Sequence, residues 1–119
     1  MENILRQITI KTKFEGIHCY PEAPDEVAFL RNPHRHEFYV EAIIEVFSDD
    51  RDLEFIIVKR SIDNFIKEEI LKEGPDLGRA SCEMLADKIL SFLKRSYKYR
   101  KITVAVLEDN ENGSLVVSI

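Results

Sequence analysis

The sequence predicts an α+β fold: a four-stranded antiparallel sheet with two helices on one face, in the order β-β-α-α-β-β. Three observations predict it. Apolar residues alternate with a period of two in the first half of the chain, recur at helical spacing in the middle, and alternate again near the C-terminus. At 119 residues the chain matches one ordinary domain, residues 1–119, with no internal repeat and no low-complexity segment.

The first strand runs from Ile8 to Phe14, with Ile8, Ile10, Thr12 and Phe14 on one face and Thr9, Lys11 and Lys13 on the other. Residues 15–33 read as a long loop, since Gly16, Pro21, Pro24 and Pro33 oppose regular structure. A loop of that length in so small a domain points to function. The second strand spans about His34 to Phe47. Its even positions are His36, Phe38, Val40, Ala42, Ile44 and Val46, its odd positions include Glu37, Glu41 and Glu45, and residues 48–52 turn the chain.

Ile62, Phe65, Ile66 and Ile70 then fall at helical spacing after an N-cap at Ser61, and Gly74-Pro75 ends that helix. Leu85, Ala86, Ile89 and Leu93 share a face of the second helix, capped by Ser81 with Glu83 in its first turn. A strand from Ile102 to Glu108, a turn containing Asn112-Gly113, and a last strand from Leu115 to Ile119 complete the chain. This layout leaves two sheet edges open, a liability unless they are short, charged or paired with another subunit.

Composition narrows the function. Hydrophobic residues make up 45% and charged residues 33%, the balance of a folded domain. A chain this short buries only roughly 65% of its unfolded surface, so metal binding or oligomerisation would assist it. The net charge of −5 argues against a nucleic-acid partner, which needs a surplus of Lys and Arg. No apolar run approaches the roughly 18 residues of a membrane span, and the stretch MENILRQITI lacks the pattern of a secretory leader. Cys19 and Cys82 form no CxxC pair and are too few for a disulfide framework, so a cytoplasmic setting is expected.

The chain has three histidines. His34 and His36 are one residue apart at a strand start, so both side chains leave one face, the face continued by Phe38 and Val40. His18 shares the parity of Ile10 and Phe14 if the first strand runs on. Three imidazoles at one end of one sheet would make an N3 set for zinc with an open fourth position. An HxH pair on a strand is weak evidence by itself, and polar residues at a strand edge are the plain alternative.

Four motifs, in order, resemble the 6-pyruvoyl- and 6-carboxy-tetrahydropterin synthase family over nearly the whole chain. They are Phe14-Glu15-Gly16-Ile17-His18, His34-Arg35-His36-Glu37-Phe38-Tyr39-Val40, Ala80-Ser81-Cys82-Glu83-Met84-Leu85-Ala86, and Val104-Ala105-Val106-Leu107-Glu108-Asp109. The resemblance implies a T-fold whose subunits pair sheet edges into a barrel, a ring assembly that is commonly a hexamer, and sites between subunits. It implies Zn2+ on His18, His34 and His36. It further implies that Glu108 anchors the ring of a pterin- or purine-like ligand by accepting its paired N–H donors.

The catalytic parts of that pattern depart here. Where the family has a proton-abstracting cysteine this chain has Leu30, and the Asp and His that complete the family's relay are missing from the shortened segment Lys72 to Gly78. General acid–base work needs a titratable group within hydrogen-bond reach. Cys19, Glu22, Asp25 and Glu26 are the replacements within the long loop, with an inert thiol and solvated loop charges as the plain alternatives. Arg35 falls on the face opposite the ligands, and Arg31 could meet an anionic group or simply face solvent. Three readings therefore stand: a zinc-dependent lyase acting on 7,8-dihydroneopterin triphosphate in pterin or queuosine/deazaguanine biosynthesis, an inactive T-fold protein binding a pterin- or purine-like ligand, and a structural zinc protein.

Overall fold

The structure, a computed structural model, describes residues 3–119, so Met1 and Glu2 of the stretch read for a leader lie outside it. Its strands are β1 (Arg6–His18), β2 (His34–Val46), β3 (Asp76–Gly78), β4 (Ile102–Glu108) and β5 (Asn112–Ser118), and its α-helices are α1 (Phe55–Phe65) and α2 (Cys82–Ser96). The sheet order is β3-β1-β2-β4-β5. β1–β2, β2–β4 and β4–β5 are antiparallel, and β3 runs parallel to β1.

The fold is thus α+β as expected, but the sheet is mixed and five-stranded, which corrects the expectation of four antiparallel strands. The extra strand is three residues long and has no apolar alternation to read. It is fixed by backbone pairing: Ile17 N donates to Pro75 O at 2.8 Å and Cys19 N to Gly78 O at 2.9 Å. Gly16, expected in a loop, lies within β1, where a Cβ would fall 2.5 Å from the Leu77 side chain. Its role is close packing, and the strand continues through it to His18.

One face of the sheet carries Ile10 and Phe14 of β1, Phe38, Val40, Ala42 and Ile44 of β2, and Ile102, Val104 and Val106 of β4. The register Phe14↔Phe38, Ile10↔Ala42 and Val40↔Val106 keeps these residues on the same side. Val58 and Ile62 of α1 and Leu85, Ala86, Ile89 and Leu93 of α2 close over that face. Burying each large aliphatic side chain contributes about 1.5–3 kcal/mol, so this single layer supplies the main driving force.

Two boundaries differ from the sequence expectation. α1 begins at Phe55, after Glu54, whose carboxylate accepts from Ile56 N at 3.2 Å and Ile57 N at 3.4 Å. Ser61 lies inside the helix, where its hydroxyl donates to Val58 O at 3.0 Å. A serine bonded back onto its own helix does not mark a helix start. A π-helical turn over Ile66–Ile70 follows α1. By contrast, Ser81 does cap α2, accepting from Met84 N at 3.1 Å.

The final turn is at Asp109 and Asn110, both at positive φ (53° and 59°), while Asn112 and Gly113 already belong to β5. Asp and Asn tolerate the left-handed region better than most residues. Gly113 is required for a different reason: a Cβ there would lie 1.9 Å from Val106 O across the ladder. The Asn-Gly pair therefore marks the hairpin but not its turn.

Asp52 ties the loop after β2 to the start of β4. It accepts from Phe47 N and from Arg100 Nη1, each at 2.8 Å, while Arg100 Nη1 also reaches Glu45 O at 3.0 Å. These bonds, the Arg100 pair foremost, hold the Asp52 carboxyl below its ordinary value. A depressed carboxylate stabilises the fold above its unfolded pKa of about 3.9 and loses that contribution as pH falls through the folded one. Asp52→Asn is therefore expected to lower the unfolding midpoint at neutral pH, with the gap to wild type closing as the pH drops below 4 or so. Thermal melts across that range test it, and a gap that does not change with pH would refute it. No helix among the described residues is long and apolar enough to cross a membrane.

Candidate metal centre

β1 and β2 bring the three histidines together through their register. His18, the last residue of β1, pairs with His34, the first of β2, and Gly16 pairs with His36. Paired residues of an antiparallel ladder point to one face, so all three imidazoles project on the core side. Ring centroids lie 4.6 Å apart for His18–His34, 5.3 Å for His18–His36 and 5.0 Å for His34–His36, in edge-to-face orientations. One ring nitrogen from each lies within 4.8 Å of the others.

Each imidazole is fixed from behind by its Nδ1. His18 Nδ1 lies 2.7 Å from Ala80 O, His34 Nδ1 2.8 Å from Asn32 O, and His36 Nδ1 2.7 Å from Asp109 Oδ2. A carbonyl oxygen only accepts, so His18 and His34 donate from Nδ1, which leaves Nε2 as the nitrogen available to a metal. Asp109 does the same for His36, and that bond, aided by Glu37 N at 3.0 Å, holds the Asp109 carboxyl below its ordinary value. A ligand histidine whose second nitrogen is held by a carbonyl or carboxylate is the usual pattern of a metal site.

The residues fit a zinc ion on a further observation. His18 Nε2 and His36 Nε2 are buried and have no hydrogen-bond partner among the described residues. His18 itself is 8% exposed. Buried polar atoms left without a partner are costly, and a cation between them would remove the cost. Neutral imidazole nitrogen suits zinc.

Glu108 ends β4 opposite Phe38, on the same face as the imidazoles. Its Oε2 lies 3.1 Å from His18 Nε2 and its Oε1 3.6 Å from His36 Nε2. The carboxylate also borders a cavity of about 460 Å³ whose wall includes His18, Cys19, Leu30, Arg79 and Cys82. Cys82, the first residue of α2, is buried, and that burial, with the charges of Glu108 and Glu83, pushes its thiol up to about 12.

Of the four residues expected to replace the missing base, only Cys19 reaches the cavity wall. Glu22 is exposed and paired with Arg79, and Asp25 lies 2.7 Å from Arg31 in a 3-10 helix over Asp25–Arg31. Glu26 is exposed on the same short helix. Charges in an exposed loop find loop partners first, which is why sequence proximity to His18 did not translate into reach. Arg31 is held by Asp25 and by Ala23 O, and Arg35 by Glu15 at 2.6 Å on the outer face.

Sequence reasoning missed Asp109, Cys82 and the carbonyls of Ala80 and Asn32. Backbone carbonyls leave no sequence signal, and Asp109 meets His36 from the turn after β4, where it sits at positive φ.

No family model matches the chain, and no curated protein matches it. The fold is similar to that of an uncharacterized protein, WS1659 from Wolinella succinogenes, known from a crystal structure. The TM-score is 0.74 at 16% identity, covering 98% of this chain and 100% of that one, a likeness that speaks to the fold alone.

Proposed function

We propose that this chain is a zinc-dependent, tetrahydropterin synthase-like protein that takes 7,8-dihydroneopterin triphosphate into the cavity beside His18, His34 and His36. One observation carries the reading: three imidazoles, each oriented by its Nδ1, gather their second nitrogens at the edge of a cavity of about 460 Å³. That size suits a bicyclic heterocycle with a side chain. Zinc held there would act as a Lewis acid toward a ligand oxygen.

The chain's own groups bind and orient. Glu108 offers two acceptor oxygens to an amino-pyrimidinone edge, in charge-assisted bonds of roughly 1.5–3 kcal/mol each. The α2 N-terminus places partial positive charge on the cavity wall. A ring assembly, commonly a hexamer, would cover the exposed Leu115 and Val117 of edge strand β5.

The second reading, a binder of a pterin- or purine-like ligand without turnover, is favoured by the pairing of Glu22 and Asp25 with arginines. The test is metal analysis, followed by calorimetry and product assay with 7,8-dihydroneopterin triphosphate. About one zinc per chain with binding and product supports the enzyme, and binding with unchanged substrate supports the binder. Protein that binds no pterin or purine would refute both, and protein that takes up no zinc would refute the enzyme.

A further inference from the structure

Glu108 is placed for more than ligand recognition. Donors held 2.0–2.1 Å from a tetrahedral zinc ion stand about 3.3 Å from one another. Glu108 Oε2 lies 3.1 Å from His18 Nε2, and its other oxygen, Oε1, lies 3.6 Å from His36 Nε2, each close to that spacing. These are not directed hydrogen bonds, since both nitrogens lack a hydrogen-bond partner among the described residues. The carboxylate thus stands beside two of the three grouped imidazole nitrogens without bonding to either.

We infer that Glu108 is the fourth ligand of the metal held by His18, His34 and His36, closing its coordination shell until a ligand enters the cavity. The inference rests on the zinc reading above and changes what Glu108 does within it. The β2–β4 ladder sets its backbone opposite Phe38, so the carboxylate is delivered to the same face as His36 by the sheet itself. Its side chain is 30% exposed, on the cavity side, which leaves it free to turn outward. An entering ligand that offers N–H donors would draw Glu108 off the metal and open the fourth position in the same movement. An N3O set with one displaceable carboxylate then differs from an open N3 site: small anions do not reach the metal in the resting protein.

Cobalt(II) reports this directly, because its visible spectrum follows coordination number and donor type. The experiment compares cobalt-loaded wild type with Glu108→Ala and Glu108→Gln, in chelator competition and in titration with thiocyanate. Glu108→Ala is expected to weaken metal binding by roughly 10–100-fold or more, the outer-partner range being the floor for a direct ligand. Its spectrum should respond to thiocyanate at concentrations that leave wild type unchanged. Glu108→Gln keeps the side-chain shape, so it reads the same shift should the alanine variant fold poorly. Wild type and variants with equal affinity and equal thiocyanate response would overturn the inference while the zinc reading stands. Wild type that loads neither cobalt nor zinc would overturn both.

Discussion

His18→Ala is expected to lose the metal. His18 is the most buried of the three histidines, joins two strands at their paired ends, and has its Nδ1 fixed on Ala80 O. Removing it leaves two imidazoles from one strand and, on the inference above, Glu108, an incomplete shell for a tetrahedral ion. The loss of affinity should exceed the roughly 10–100-fold that follows removal of an outer hydrogen-bond partner, for which Asp109→Asn is the matched comparison. Stability offers a second readout. A ligand at 100 times its dissociation constant stabilises the folded state by about 2.7 kcal/mol, so chelation should lower the wild-type unfolding midpoint and leave that of His18→Ala unchanged. His18→Ala protein that retains one zinc per chain after dialysis would show that the three nitrogens do not share an ion.

Phe38→Ala is expected to damage fold and site together. Phe38 is fully buried, stacks on Phe14 with centroids 5.4 Å apart, and meets the rings of His18 and His36 edge-on at 5.2 Å and 5.9 Å. Truncating a buried phenylalanine costs about 3–5 kcal/mol through lost transfer energy and the cavity left behind. A domain's whole stability is of the order of 5–15 kcal/mol, so the variant should sit close to its unfolding transition. The floor beneath two imidazoles goes with the ring, and metal affinity should fall although no ligand atom has been touched. Phe38→Leu fills much of the space and should recover most of the stability and part of the affinity. Denaturant midpoints and chelator competition on both variants test this. A Phe38→Ala protein with unchanged zinc affinity would show that the packing beneath the histidines does not orient them.

What this sequence by itself determined is periodicity and the face each side chain takes. The alternation around Phe38 puts His34 and His36 on the core side, and the apolar spacing of α2 with Ser81 before it places that helix and its cap. These are local properties, set by the two-residue repeat of a strand and the 3.6-residue turn of a helix. The reading faltered wherever the deciding partner lies far along the chain. Gly16 looked like a loop residue because Leu77, which needs its space, is distant in sequence, and β3 exists only through its backbone bonds to β1. Ser61 looked like a cap until a helix beginning at Phe55 enclosed it. The tertiary structure alone decided that Asp109 and Ala80 orient two of the imidazoles, that Glu108 faces the Nε2 atoms of His18 and His36, and that Glu22 is held by Arg79. A side chain's chemistry is written in its own residue, but its partner is selected by folding, through register and packing that bring residues dozens of positions apart within hydrogen-bonding distance.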